Sequence, residues 1–249
     1  MLSVFEEELQ QLKSGERPSF WFPPPASVLD SIENGRTPEA LEQMIALLSR
    51  GPTDERKVYP LLSLAEFFEY IVMDQQKAID CYLKALKEHP QEGLPTQISQ
   101  APFTVGIWAA IKIAICLQKM GRYEEAVEYY SYHYPWRMFW FEIAECHVLA
   151  GKQTEAKIAY RKAGEYHLGG HWGSHVELAF RAFAVLGDDK MMRRAVDAVR
   201  SNYAPALAGA VLTRLKEWAE GAGMKNAVAI VALTQKNNPK NASNVSGYP

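Results

Sequence analysis

Five glycines punctuate this 249-residue chain at intervals that strongly constrain its fold. Gly35, Gly121, Gly151, Gly187 and Gly223 each end one helical apolar pattern and precede a second, at spacings of 86, 30, 36 and 36 residues. The long interval divides in two if a further unit, lacking the glycine, is centred on Ala78. Five residues after each glycine stands Ala40, Ala126, Ala156, Met192 or Val228, and Ala78 takes the same place in the extra unit. Four residues later come Met44, Tyr82, Tyr130, Tyr160, Val196 and Ala232, and three more bring Leu47, Ala85, His133, Ala163, Val199 and Gln235.

Positions i, i+4 and i+7 share one face of an α-helix, so this stripe predicts the buried side of a second helix. The glycine supplies a left-handed cap that ends the first helix and turns the chain back. A small residue at the head of the stripe lets the two helices approach closely. A hairpin of this kind cannot bury its apolar face alone and must stack on its neighbours. Cysteine usage agrees with packing: Cys81, Cys116 and Cys146 are an odd number without CxxC spacing, and Cys116 and Cys146 share one register position.

Three stretches carry a family resemblance. In LLSLAEFFEYIVMDQQKAIDCYLKALKEHP, Leu62 and Ala65 precede the stripe Ala78, Tyr82, Ala85, and Pro90 closes the unit. IWAAIKIAICLQKMGRYEEAVEYY places Ile113, Ala114, Leu117, Gly121, Tyr123, Ala126 and Tyr130 in the same order. WFEIAECHVLAGKQTEAKIAYRKAG does so with Trp140, Ile143, Ala144, Gly151, Ala156, Tyr160 and Ala163. This pattern resembles the tetratricopeptide signature, most closely over residues 60 to 165. The resemblance implies an all-α, right-handed helical-hairpin solenoid of about six degenerate repeats. The expected organisation is an N-terminal capping helix and linker over 1–19, a repeat domain over 20–238 and a flexible tail over 239–249. The stretch QEGLPTQISQAPFTV reads as a loop inserted between two units.

What the resemblance implies for function is a non-catalytic module that binds a protein or peptide segment in a groove lined by first helices, as an adaptor or chaperone. An immunity or antitoxin-type inhibitor of a partner protein is the alternative. The shared register puts Trp108, Ile111 and Ile115 on that lining, then Met138, Phe141 and Glu145, then Glu177, Arg181 and Ala184, and lastly Thr213 and Glu217. Partner-binding residues are therefore expected at Trp108, Met138, Phe141, Glu145, Glu177 and Arg181, with Trp172 added from a connector facing the groove. Ile111 and Ile115 are expected to pack beneath neighbours, whereas Glu145, Glu177 and Arg181 are expected to be exposed, because unpaired buried charge is costly. The Lys/Asn/Lys/Arg clamp by which some family members capture a C-terminal carboxylate has no counterpart at these positions.

Charge and motif content narrow the rest. With 27 basic and 29 acidic side chains, the formal net charge is -2. That lacks the basic excess of a generic nucleic-acid binder. The balance hides a division: residues 1 to 100 carry a net of -7 and the remainder +5. No window approaches a membrane span, and the acidic, amphipathic start is unlike a secretory signal, so a cytoplasmic protein is expected. There is no GxSxG, P-loop, HExxH or strand-linked GxGxxG, hence neither enzyme activity nor a cofactor is expected. His167, His171 and His175 are spaced four apart and would line one face of a continuous helix as metal ligands. Three nearby glycines argue for a connector instead. The aromatic run over 129–141 resembles a stacking surface, but Tyr130 and Trp140 have framework places in the repeat, and core packing with a turn at Pro135 is the expectation. A homo-oligomer is left open.

Overall fold

The computed structural model describes residues 24–49, 59–88, 104–131, 139–169 and 176–236. The expected capping helix, the proline stretch after it up to residue 23, residues 91–103, the turn at Pro135, the His171–His175 connector and the tail lie outside the described residues. Within them are twelve α-helices. They fall into two compact units, residues 24–131 and 139–236.

The N-terminal unit contains α1 (Ala26–Glu33), α2 (Thr37–Ser49), α3 (Tyr59–Phe67), α4 (Gln75–Glu88), α5 (Val105–Lys119) and α6 (Tyr123–Tyr130). A π-helical turn, Phe68–Val72, continues α3. The C-terminal unit contains α7 (Trp140–Leu149), α8 (Gln153–Gly169), α9 (Val176–Leu186), α10 (Asp189–Asn202), α11 (Pro205–Gly221) and α12 (Lys225–Lys236). Consecutive helices pair as hairpins, α1 with α2 through α11 with α12. Within each unit the hairpins stack: α4 packs on α5, and α8 on α9. Both units are all-α hairpin repeats, as the glycine spacing predicts.

The turns explain the period. Gly35, Gly121, Gly151, Gly187 and Gly223 all lie in the left-handed region, with φ between 67° and 75°. The amide after each reaches back over the helix end, as in Arg122 N to Leu117 O at 2.9 Å and Met224 N to Ala219 O at 2.9 Å. That contact satisfies a carbonyl the helix leaves open. The hairpin centred on Ala78 has the same turn without the glycine. Met73 takes its place at φ 60°, ψ 29°. Here Asp74 N closes on Phe68 O, one residue further back than in the glycine turns, because the π turn inserts a residue. Asp74 then caps α4, its carboxylate accepting from Lys77 N at 3.0 Å.

The predicted stripe is the core. Ala40, Ala78, Ala126 and Ala156 are buried, as are Met44, Tyr82, Tyr130 and Tyr160. The close approach that small residues permit recurs at Gly164 in α8, where an added Cβ would stand 2.6 Å from the Phe183 ring. In the last hairpin the stripe slips by one. Ala227, Ile230 and Val231 are buried, while Val228 and Ala232 are only half-buried. The small Ala227 enters the cluster that contains Val199, Leu212 and Leu215, and Val228 packs against its edge.

Candidate functional site

The C-terminal unit concentrates charge and aromatic rings on its first helices, α7, α9 and α11. Arg181 of α9 is 5% exposed, yet its guanidinium lies 5.1 Å from the Phe141 ring of α7 and 5.0 Å from the Trp218 ring of α11. Delocalised and weakly hydrated, a guanidinium tolerates this setting, and each ring face repays part of its lost hydration. One turn earlier on α9, Glu177 is equally buried. It accepts a charge-assisted hydrogen bond from Arg214 of α11, whose side chain stays 53% exposed. Burial is the largest single influence and pushes the Glu177 carboxyl up, while the hydrogen bond and charge of Arg214 act the other way; with all influences combined the carboxyl lies below its ordinary value. Phe141 is itself wedged edge-on against Tyr160 of α8, with centroids 5.4 Å apart.

The expectation that Glu177 and Arg181 would be exposed is thus corrected. Both are buried, because partners 37 residues or more away supply the compensation that a neighbouring residue does not. Phe141 and Trp108 are buried too, and Glu145 is half-buried. Thr213, Arg214 and Glu217 of α11 are exposed and Trp218 is half-buried beside them. Met138 and Trp172 lie outside the described residues. Arg214 and Trp218 were missed by a register that placed groove positions at 10 and 6 residues before each glycine; Arg214 stands 9 before Gly223, and Trp218 stands 5 before it.

The N-terminal unit holds a second charged cluster. Glu69, in the π turn, is fully buried. Its carboxylate takes Lys112 Nζ at 3.0 Å, Lys119 Nζ at 2.7 Å and the Tyr82 hydroxyl at 3.0 Å. Lys112 is 1% exposed; it also donates to the Tyr70 hydroxyl, with its ammonium 4.7 Å from the Tyr70 ring and 5.9 Å from that of Trp108. Burial and the adjacent Glu69 push the Tyr82 phenol well above its ordinary value, so it remains a donor. Sequence reasoning missed this cluster. Lys112 sits in IWAAIKIAICLQK, otherwise an apolar helix, and its carboxylate partner is 43 residues away. Ile111 and Ile115 are buried, as expected.

Among the described residues no group of three His, Cys, Asp or Glu side chains is placed to hold a metal. His167 is buried on α8 against the Tyr166 ring, 5.3 Å away, and His171 and His175 lie outside the described residues. Cys116 and Cys146 are buried. Burial and the nearby Glu145 push the Cys146 thiol up to about 12, the opposite of what a nucleophile needs. No described helix is long and apolar enough to cross a membrane.

Residues 108–131, which span most of α5 and all of α6, match the family model described as "Tetratricopeptide repeat". That segment is similar to a tetratricopeptide repeat, within an all-α array of helical hairpins. Repeats of this kind are generally protein-interaction modules and typically non-catalytic. No curated protein matches the sequence. Among solved structures, the chain is similar to the crystal structure of BtubC (BKLC) from P. vanneervenii at 16% identity and a TM-score of 0.46. The likeness covers 85% of this chain and 91% of that one.

Proposed function

We propose that this tetratricopeptide-like chain is a non-catalytic cytoplasmic adaptor or chaperone-like module, and that a segment of a partner protein docks on the first helices of its C-terminal unit. The observation that carries the reading is the Phe141–Arg181–Trp218 stack, locked beside the Glu177–Arg214 pair. Rings and charges on three helices are fixed before any partner arrives, which lowers the ordering cost of association. A rim of Glu145, Arg214, Glu217 and half-buried Trp218 then selects the incoming segment by charge and apolar contact. Met138 and Trp172 extend the proposed contact set along the chain, and Trp108 is a separate proposed contact on the N-terminal unit.

Affinity capture from the native lysate tests this, with the wild-type chain compared with Glu145→Lys and Glu217→Lys. Glu217 is exposed and Glu145 is half-buried, so the helical circular dichroism of each variant is the control for folding. The expected result is one partner lost from both variants while their helical circular dichroism is unchanged. A partner retained undiminished by both would remove the first-helix assignment.

A further inference from the structure

The second helices carry opposite net charge in the two units. In the C-terminal unit, α8, α10 and α12 hold nine basic side chains against four acidic ones. All nine are exposed, and Lys190, Arg193, Arg194 and Arg200 follow one face of α10 opposite its buried Met192, Val196 and Val199. In the N-terminal unit, α2, α4 and α6 hold seven acidic side chains against three basic ones. Glu124, Glu125 and Glu128 make α6 wholly acidic; Arg122, at its cap, pairs with Glu125 at 2.6 Å and offsets only part of that charge. The first helices of the C-terminal unit show no basic excess, with five acids against three bases. In the C-terminal unit the basic excess therefore belongs to the second-helix face.

Both faces also present exposed apolar side chains among the charges. Leu83 is 37% exposed on the acidic face, and Ile158 and Leu233 are 54% and 50% exposed on the basic one. Apolar anchors ringed by charge are the composition of a protein interface, and charge of opposite sign sets its register and partner. The acidic partner that best suits the basic face is already encoded in this chain.

We propose that the chain self-associates head to tail, the acidic second-helix face of the N-terminal unit in one copy meeting the basic second-helix face of the C-terminal unit in another. Two different patches make the contact heterologous, so each copy keeps one unsatisfied face and can add a further copy. Screening predicts a strong dependence on ionic strength. The Debye length falls from about 10 Å at 0.1 M salt to about 3 Å at 1 M, which removes most attraction between exposed charges.

Sedimentation velocity and light scattering of the full chain, over a concentration series in 50 mM and 500 mM NaCl, provide the test. Wild type is expected to exceed the monomer mass of 28.0 kDa at low salt and to associate roughly tenfold more weakly at high salt. Arg193→Glu with Arg194→Glu removes most of the basic excess of one face; Glu42→Lys with Glu128→Lys removes the acidic excess of the other. Each double variant alone is expected to be monomeric, and an equimolar mixture of the two to associate, since each restores what the other lacks. Wild type that stays monomeric at low salt overturns the proposal, as does association that both variants retain. Salt-sensitive oligonucleotide binding by a monomeric wild type, abolished by Arg193→Glu with Arg194→Glu, would also overturn it and assign the basic face to nucleic acid.

Discussion

Met73→Gly should stabilise the protein, and the size of the gain follows from the turn geometry. Met73 is the sole non-glycine described residue with positive φ, at 60°. A side chain in that region brings its Cβ too near the following carbonyl, at a cost of roughly 1–2 kcal/mol. Its own side chain is 58% exposed and contributes little packing. Glycine removes the strain but widens the unfolded ensemble, which costs about 0.5–1 kcal/mol. The balance is a gain of roughly 0.5–1 kcal/mol, or about 1–4 °C in Tm for a chain of this size. Gly151→Ala is the matched control: φ is 74° and no atom lies within 4 Å of an added Cβ, so its loss reports conformation alone. Urea unfolding followed by circular dichroism should move the two midpoints in opposite directions with unchanged m-values. If Met73→Gly lowers the midpoint, or Gly151→Ala leaves it unmoved, the assignment of a shared left-handed turn to the two hairpins is refuted.

Gly164→Ala should destabilise by about 1–3 kcal/mol despite alanine's better helix propensity, because the new methyl meets the rigid, fully buried Phe183 ring at 2.6 Å; adding Phe183→Leu should recover part of the loss in thermal melts. Lys112→Met should cost about 3–5 kcal/mol by leaving Glu69 buried with one cation fewer, and Lys112→Met with Glu69→Gln should recover much of that in urea titration. Glu177→Gln should flatten the acid side of the stability profile. The folded carboxyl lies below the 4.5 of a free glutamate, so its stabilising contribution is complete above that pH and is lost as pH falls through the folded value; wild type and variant should differ at pH 6 and converge by about pH 2.

How much of this was legible in the chain depends on how local the cause is. The turns are local: a left-handed residue five before the alanine is required whether or not glycine supplies it, so the hairpin at Ala78 was countable although Met73 carries no turn signature. The stripe of Ala78, Tyr82 and Ala85 is equally local, since one helix face decides it. The last hairpin shows where this weakens. Without an alanine or aromatic at the expected places, a one-residue slip from Val228 to Ala227 costs the pattern nothing, and only the neighbouring helices choose.

The charged residues are the opposite case. An isolated charge at Lys112, Glu177 or Arg181 reads as solvent-facing because burial without a partner is prohibitive, and that inference is sound for each residue taken alone. It fails because the stacking of hairpins brings residues one repeat apart into contact: Glu69 to Lys112, Glu177 to Arg214, Arg181 to Trp218. Separations of 43 and 37 residues are close to the repeat length itself. In a hairpin array a polar residue on a first helix should therefore be read against the residues about one period before and after it, not against its neighbours in sequence. By that rule Lys112 points to Glu69, and Arg181 to a partner near 218. The buried network becomes a prediction of the period once the period is known.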